Sequence, residues 1–145
     1  MSTQAPQNAF ECNLQLRWSD QDLNGHVNNA RVITLVEEAR VLAGRIWSGT
    51  TPDGSTPRVV RKLDVRFDRA VEYDSPLAAR VWIAKINTTS YTVCHELLQD
   101  DQSCAYAEAV IVLLDGATRR PTRIPQSLRS NLLQFQAPHA ELSAS

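Results

Sequence analysis

The chain has 145 residues with 15 Lys and Arg against 16 Asp and Glu, a formal net charge of −1 at pH 7. That length supports one domain with its own core and leaves no room for a second. With no basic excess to neutralise phosphates, nucleic acid is excluded as a partner, and without a run of ~18 apolar residues or a signal-like start, no membrane span or export by that route is expected.

In chain order, residues 1–9 are polar and proline-containing and read as a flexible N-terminus, matched by a flexible tail at 136–145 that holds His139. Residues 10–135 form the single domain. Phe10, Cys12, Leu14, Leu16 and Trp18 alternate with Glu11, Asn13, Gln15 and Arg17, the period of a strand with one buried face. Ser19 to Asn29 follows as a polar loop, with two carboxylates, several amides, Gly25 and His26 around only Leu23 and Val27 as aliphatics. Then Val32, Leu35, Val36, Ala39, Leu42, Ala43, Ile46 and Trp47 recur at helical spacing, with Arg31, Thr34, Glu38 and Arg45 opposite, a long amphipathic helix. The turn formers of Ser48–Pro57 read as a connection.

From Arg58 onward the period is that of strands. Leu63, Val65 and Phe67 alternate with charged residues, and further strands are expected at Ala78–Ile86 and Tyr91–Leu98, separated by turns at Tyr73–Pro76, Asn87–Ser90 and Gln99–Gln102. Cys104–Leu114 is ambiguous between a buried helix and a strand; its Val110-Ile111-Val112 run and its hairpin-sized distance from the preceding strand make it a strand. A short helix is expected within Pro125–Phe135. The order strand, helix, four strands predicts an α+β fold, a five-stranded antiparallel sheet wrapped around one long helix. Its edges and far face would be left open, which predicts a dimer joined edge to edge. Cys12, Cys94 and Cys104, odd in number and without metal-like spacing, read as small reduced core residues of a cytoplasmic protein. His95 reads as a strand residue.

The polar loop carries the parts for acyl transfer without a serine or cysteine nucleophile. Asp22 could deprotonate a water or attack a carbonyl itself, Asn24 and His26 could orient water or carbonyl, and the amides at the start of the helix suit a developing oxyanion. Each residue also has a plainer reading. Asp20 and Asp22 suit side-chain-to-backbone turns, either Asn28 or Asn29 suits the helix N-cap, Gly25 suits a positive φ, and His26 alone suits a structural role. No second acidic or histidine cluster is present to complete a metal shell around Asp20, Asp22 and His26.

The segment RWSDQDLNGHVNN followed by VEEAR resembles the opening motif of hotdog-fold acyl-CoA thioesterases of the 4-hydroxybenzoyl-CoA thioesterase type, and is also similar to the D-x-N-x-H-V-N-N motif of plant acyl-ACP thioesterases. The resemblance runs from about Phe10 to Pro125. It implies a hotdog fold, no metal or redox cofactor, and a homodimer or homotetramer with active sites at subunit interfaces. It implies that Asp22 is the catalytic carboxylate, with Asn24 and His26 beside it and Asp20 in support. Asp68 falls where the plant enzymes use a glutamate, a shorter side chain after a longer connection, and is carried over on that basis. Gly25, Val27, Asn28 and Asn29 are the accompanying substrate-binding candidates, with Arg66 for the CoA phosphates; Arg69, Arg119, Arg120 and Arg123 share that possibility on charge alone. The implied function is hydrolysis of an acyl-CoA to free acid and CoA. The alternatives are an acyl-ACP thioesterase, a non-catalytic hotdog module that binds acyl-CoA or serves as a dimeric scaffold, and, fitting the motif order less well, a hydratase.

Overall fold

A computed structural model describes residues 5–48 and 54–137. The order is β1 (Phe10–Leu14), α1 (Asn29–Ser48), β2 (Arg58–Phe67), β3 (Leu77–Ile86), β4 (Ser90–Gln99), β5 (Gln102–Leu113) and α2 (Gln126–Leu133). The strands make one antiparallel sheet, β1-β3-β4-β5-β2, with α1 packed on one face. The α+β architecture read from the sequence is therefore the one adopted. Residues 1–4, 49–53 and 138–145 lie outside the described residues, and with them His139 and most of the expected tail.

Packing explains the choices the local pattern left open. The ambiguous segment after Gln102 is a strand, and its Ala105, Ala107 and Ala109 face the helix side in the same cluster as Val36 and Ala39. β4 lies at the centre and is buried along all its length. It turns into β5 through Asp100 and Asp101, both left-handed (φ 52° and 58°), the two-residue hairpin geometry that matches strand twist and that aspartate tolerates.

Three expectations need correction. The first strand stops at Leu14 rather than Trp18: the Asp20 carboxylate accepts the Arg17 N–H at 2.8 Å, closing a 3-10 turn over Trp18–Asp20 that leaves Trp18 75% exposed. On α1 the buried stripe is Val32, Leu35, Val36, Ala39, Ala43 and Trp47, whereas Ile46 is 57% exposed because it sits about 100° around the helix from Trp47. The far face of the sheet is not open either. Trp82, Ala84, Cys94 and Tyr106 are buried there with Ala5, Ala9 and Ala137 packed on them. The short β1 pairs only Leu77–Val81, so the chain at Phe135–Ala137 continues along β3, exchanging backbone hydrogen bonds with Ile83 at 2.9 Å.

The C-terminal end of α1 is held by α2, where Asn131 Nδ2 donates to Trp47 O at 2.7 Å and Phe135 meets Trp47 edge-on. No described helix is long and apolar enough to cross a membrane.

Candidate active site

The polar loop folds into a small hairpin. Gln21 bridges Val27, the Asp22 N–H donates to His26 O at 3.1 Å, and the Gly25 N–H donates to Asp22 O at 3.0 Å. Gly25 carries φ 79°, the left-handed geometry that the tight turn requires and glycine adopts without strain. Val27 is buried and its N–H donates to Val71 O at 2.9 Å, pinning the hairpin to the segment after β2. Its aliphatic side chain anchors the loop, and the polar side chains around it project outward.

Asn28 joins this hairpin to the helix. Its Oδ1 accepts the Ala30 N–H at 2.8 Å and its carbonyl accepts the Val32 N–H, so Asn28 rather than Asn29 is the N-cap of α1. Its Nδ2 donates to Asp22 Oδ2 at 3.1 Å, while the Asn24 N–H donates to Asp22 Oδ1 at 2.9 Å. The carboxylate is thus aimed by two donors. Asp20, in contrast, is spent on the 3-10 turn and on accepting the Asn28 N–H at its backbone oxygen.

A cavity of about 350 Å³ opens at this point. Asp22, Asn24 and His26 enter from the hairpin, Asn28, Asn29 and Val32 from the start of α1, and Phe67 and Asp68 from the end of β2. Val27 also lines it. The structure therefore brings the four catalytic candidates, Asp22, Asn24, His26 and Asp68, to one cavity. Gly25 shapes the loop behind it. Arg66 is committed elsewhere: its Nε donates to both Asp68 oxygens at 2.9 Å and its guanidinium lies over the Tyr106 ring, 5.4 Å from the centroid. Asp68 is consequently a held counter-ion as well as a wall residue. Among the described residues, no group of three or more His, Cys, Asp or Glu is placed to hold a metal ion.

Sequence reasoning did not find the floor of the cavity, Val71, Cys104 and Ala105. The signal was the pairing of Phe67 with Ala105, which follows only once the strand order is known. Burial holds the Cys104 thiol above its ordinary pKa, so it is protonated and unsuited to nucleophilic attack. His95, the strand histidine, is fully buried away from this cavity, and burial with the neighbouring Arg40 charge pushes it down to about 3.

The family model described as thioesterase-like superfamily matches residues 16–132. A search of curated proteins returns no match. Among solved structures, a predicted thioesterase from Bacillus stearothermophilus superposes with a TM-score of 0.84 at 24% identity, over 91% of this chain and 99% of that one. A thioesterase from Thermus thermophilus, complexed with coenzyme A and zinc, gives 0.75 at 24% identity over 88% and 93%. A 1,4-dihydroxy-2-naphthoyl-CoA thioesterase from Synechocystis gives 0.78 at 16% over 86% and 96%.

Proposed function

The chain belongs to the thioesterase-like superfamily and is a thioester hydrolase, and on that premise we propose that it cleaves an acyl-CoA to free acid and CoA in the cavity around Asp22. The observation that carries this reading is the convergence of Asp22, Asn24 and His26 with the N-terminus of α1 at one cavity. Asp22 takes a proton from water, and the hydroxide adds to the thioester carbonyl. The oxyanion is met by amides at the positive end of α1, and collapse expels the CoA thiolate, which takes up a proton. The Asn24 N–H and the Asn28 amide, one on each Asp22 oxygen, fix the direction in which the carboxylate presents its remaining lone pairs to the water. Asn24 and His26 orient water and carbonyl. Coenzyme A in a structural neighbour supports the choice of carrier.

The same proposal includes a second copy of the chain. β2 is an edge strand of ten residues whose Val59, Val60 and Phe67 are over 40% exposed, and pairing two such edges removes both from water. Three free cysteines, two of them buried, fit a reducing, cytoplasmic setting. Thiol release from a panel of acyl-CoAs by the purified protein tests the reading: turnover with at least one member is expected, and none with any would overturn it in favour of a ligand-binding hotdog module.

A further inference from the structure

A second cavity, of about 360 Å³, lies between the C-terminal half of α1 and the Arg58 end of β2. Val41, Trp47, Val60 and Ile111 give it apolar walls, and Arg40, Arg58 and Tyr91 bring donors into it. Arg40 is fixed from behind. The His95 Nδ1 lies 3.1 Å from Ala107 O, and since a carbonyl only accepts, Nδ1 carries the proton; Nε2 then accepts from Arg40 Nη1 at 3.3 Å. A neutral ring therefore holds the guanidinium without cancelling its charge. The Arg58 guanidinium and the Trp47 indole both lie beside the Tyr91 phenol. Glu37, 3.7 Å from Arg40, is the one acid among the described lining residues, against Arg40, Arg45 and Arg58. Its side chain is largely exposed.

The cavity also lies in line with the catalytic loop. Phe67 lines the first cavity and Val60 the second, with Leu63 and Val65 between them on the helix side of β2, paired to Ala109 and Ala107. On α1, Asn29 lines the first cavity and Arg40 the second, ~16 Å further along the axis. The arginine side chain leans back toward the helix N-terminus, shortening that gap.

We propose that this second cavity is a carboxylate-binding subsite for the far end of the acyl group, so that the substrate is a thioester whose medium-length chain ends in a second carboxylate. A planar carboxylate matches a guanidinium fork, and the apolar walls take the methylene chain. A plain alkyl end would instead cover the two guanidinium groups while adding no acceptor beyond the His95 and Glu37 contacts that Arg40 already has. The identity of the ligand rests on the thioester reading above; the preference for a carboxylate rests on this cavity alone.

Two measurements separate the claims. In hydrolysis, octanedioyl-CoA is expected to exceed octanoyl-CoA in kcat/KM by at least ~10-fold, a bidentate pair to a charged group being worth that much, and Arg58→Gln and Arg40→Gln should each collapse the preference. In calorimetry on the same protein, octanoate should bind at least ~10-fold tighter than octanamide, again only while Arg58 is present. Arg58 lies at the exposed start of β2, so its variant keeps the test open if Arg40→Gln fails to fold. Hydrolysis with no carboxylate preference overturns the proposal and leaves the thioester reading standing. Arg58-dependent octanoate binding without hydrolysis of either thioester supports the subsite and removes the thioester reading. Octanoate and octanamide binding alike overturns the subsite.

Discussion

Asn28 holds Asp22 and the start of α1 with one side chain, its Nδ2 donating to Asp22 Oδ2 at 3.1 Å while its Oδ1 accepts the Ala30 N–H at 2.8 Å. The direction of the carboxylate is therefore set by the same residue that caps the helix. The two roles are separable by mutation. Asn28→Ser retains a capping oxygen and removes the amide donor, so stability should change by less than ~1 kcal/mol, while kcat/KM should fall ~10-fold as a hydrogen bond to a charged group is lost. A thermal melt and a rate assay read both, and an unchanged rate would mean that Asp22 needs no such positioning.

The buried His95 gives the fold a pH dependence of known sign. Burial first, and the Arg40 charge second, lower its pKa from 6.5 to about 3. Between those values the unfolded chain binds the proton and the folded chain does not. The stability this ring contributes is thus complete above pH 6.5 and is lost as pH falls toward 3, by a few kcal/mol on the scale of ~1.4 kcal/mol per unit. Gln at this position can still donate to Ala107 O and accept from Arg40 but does not titrate. His95→Gln should show a shallower fall of Tm between about pH 6.5 and 4 than the wild type; an equally steep fall would contradict the assignment.

The legible part of this protein was the part set by local period and turn chemistry. The stripe Val32–Trp47 specified α1, alternation specified the strands, and the crowding of Asp22, Asn24, Gly25 and His26 marked the loop. What could not be read came from contacts distant in sequence. The Arg40–His95 pair joins residues 55 positions apart and exists only because β4 runs beneath α1. The closure of β1 at Leu14 depended on a side chain, that of Asp20, turning back to Arg17. Coverage of the far face depended on β1 being too short to fill the β3 edge.

Edge pairing through β2 is tested by mass in solution. Light scattering at micromolar concentration should give twice the chain mass or a higher even multiple, through an interface of ~1,600 Å² or more. Val59 is 41% exposed on that edge, and Val59→Lys should shift the population toward monomer without lowering the Tm of the isolated chain. A wild-type monomer would contradict the dimer.

CoA should be preferred to an acyl carrier protein as the thioester carrier. An acidic carrier helix calls for a concentrated basic face; in a chain of net charge −1, Arg119, Arg120 and Arg123 make one short basic stretch in the loop after β5, and Arg40, Arg45 and Arg58 border a cavity between α1 and β2. Comparing kcat/KM for one acyl group on both carriers should favour CoA, and a large preference for the protein-linked substrate would reverse the assignment.

The central claim is that Asp22 is the carboxylate at which the thioester is cleaved, and it is tested most directly by comparing Asp22→Asn with Asp20→Asn. Asp22 lines the cavity and is aimed by Asn24 and Asn28, whereas Asp20 closes a turn by accepting the Arg17 N–H. An asparagine retains size and accepting oxygen at either position, so both variants should fold, which a thermal melt confirms. Hydrolysis of the best acyl-CoA should fall ~10²- to 10⁴-fold in Asp22→Asn, the loss expected for a general base, and by far less in Asp20→Asn. An Asp22→Asn enzyme that hydrolyses its substrate at close to the wild-type rate would contradict the account.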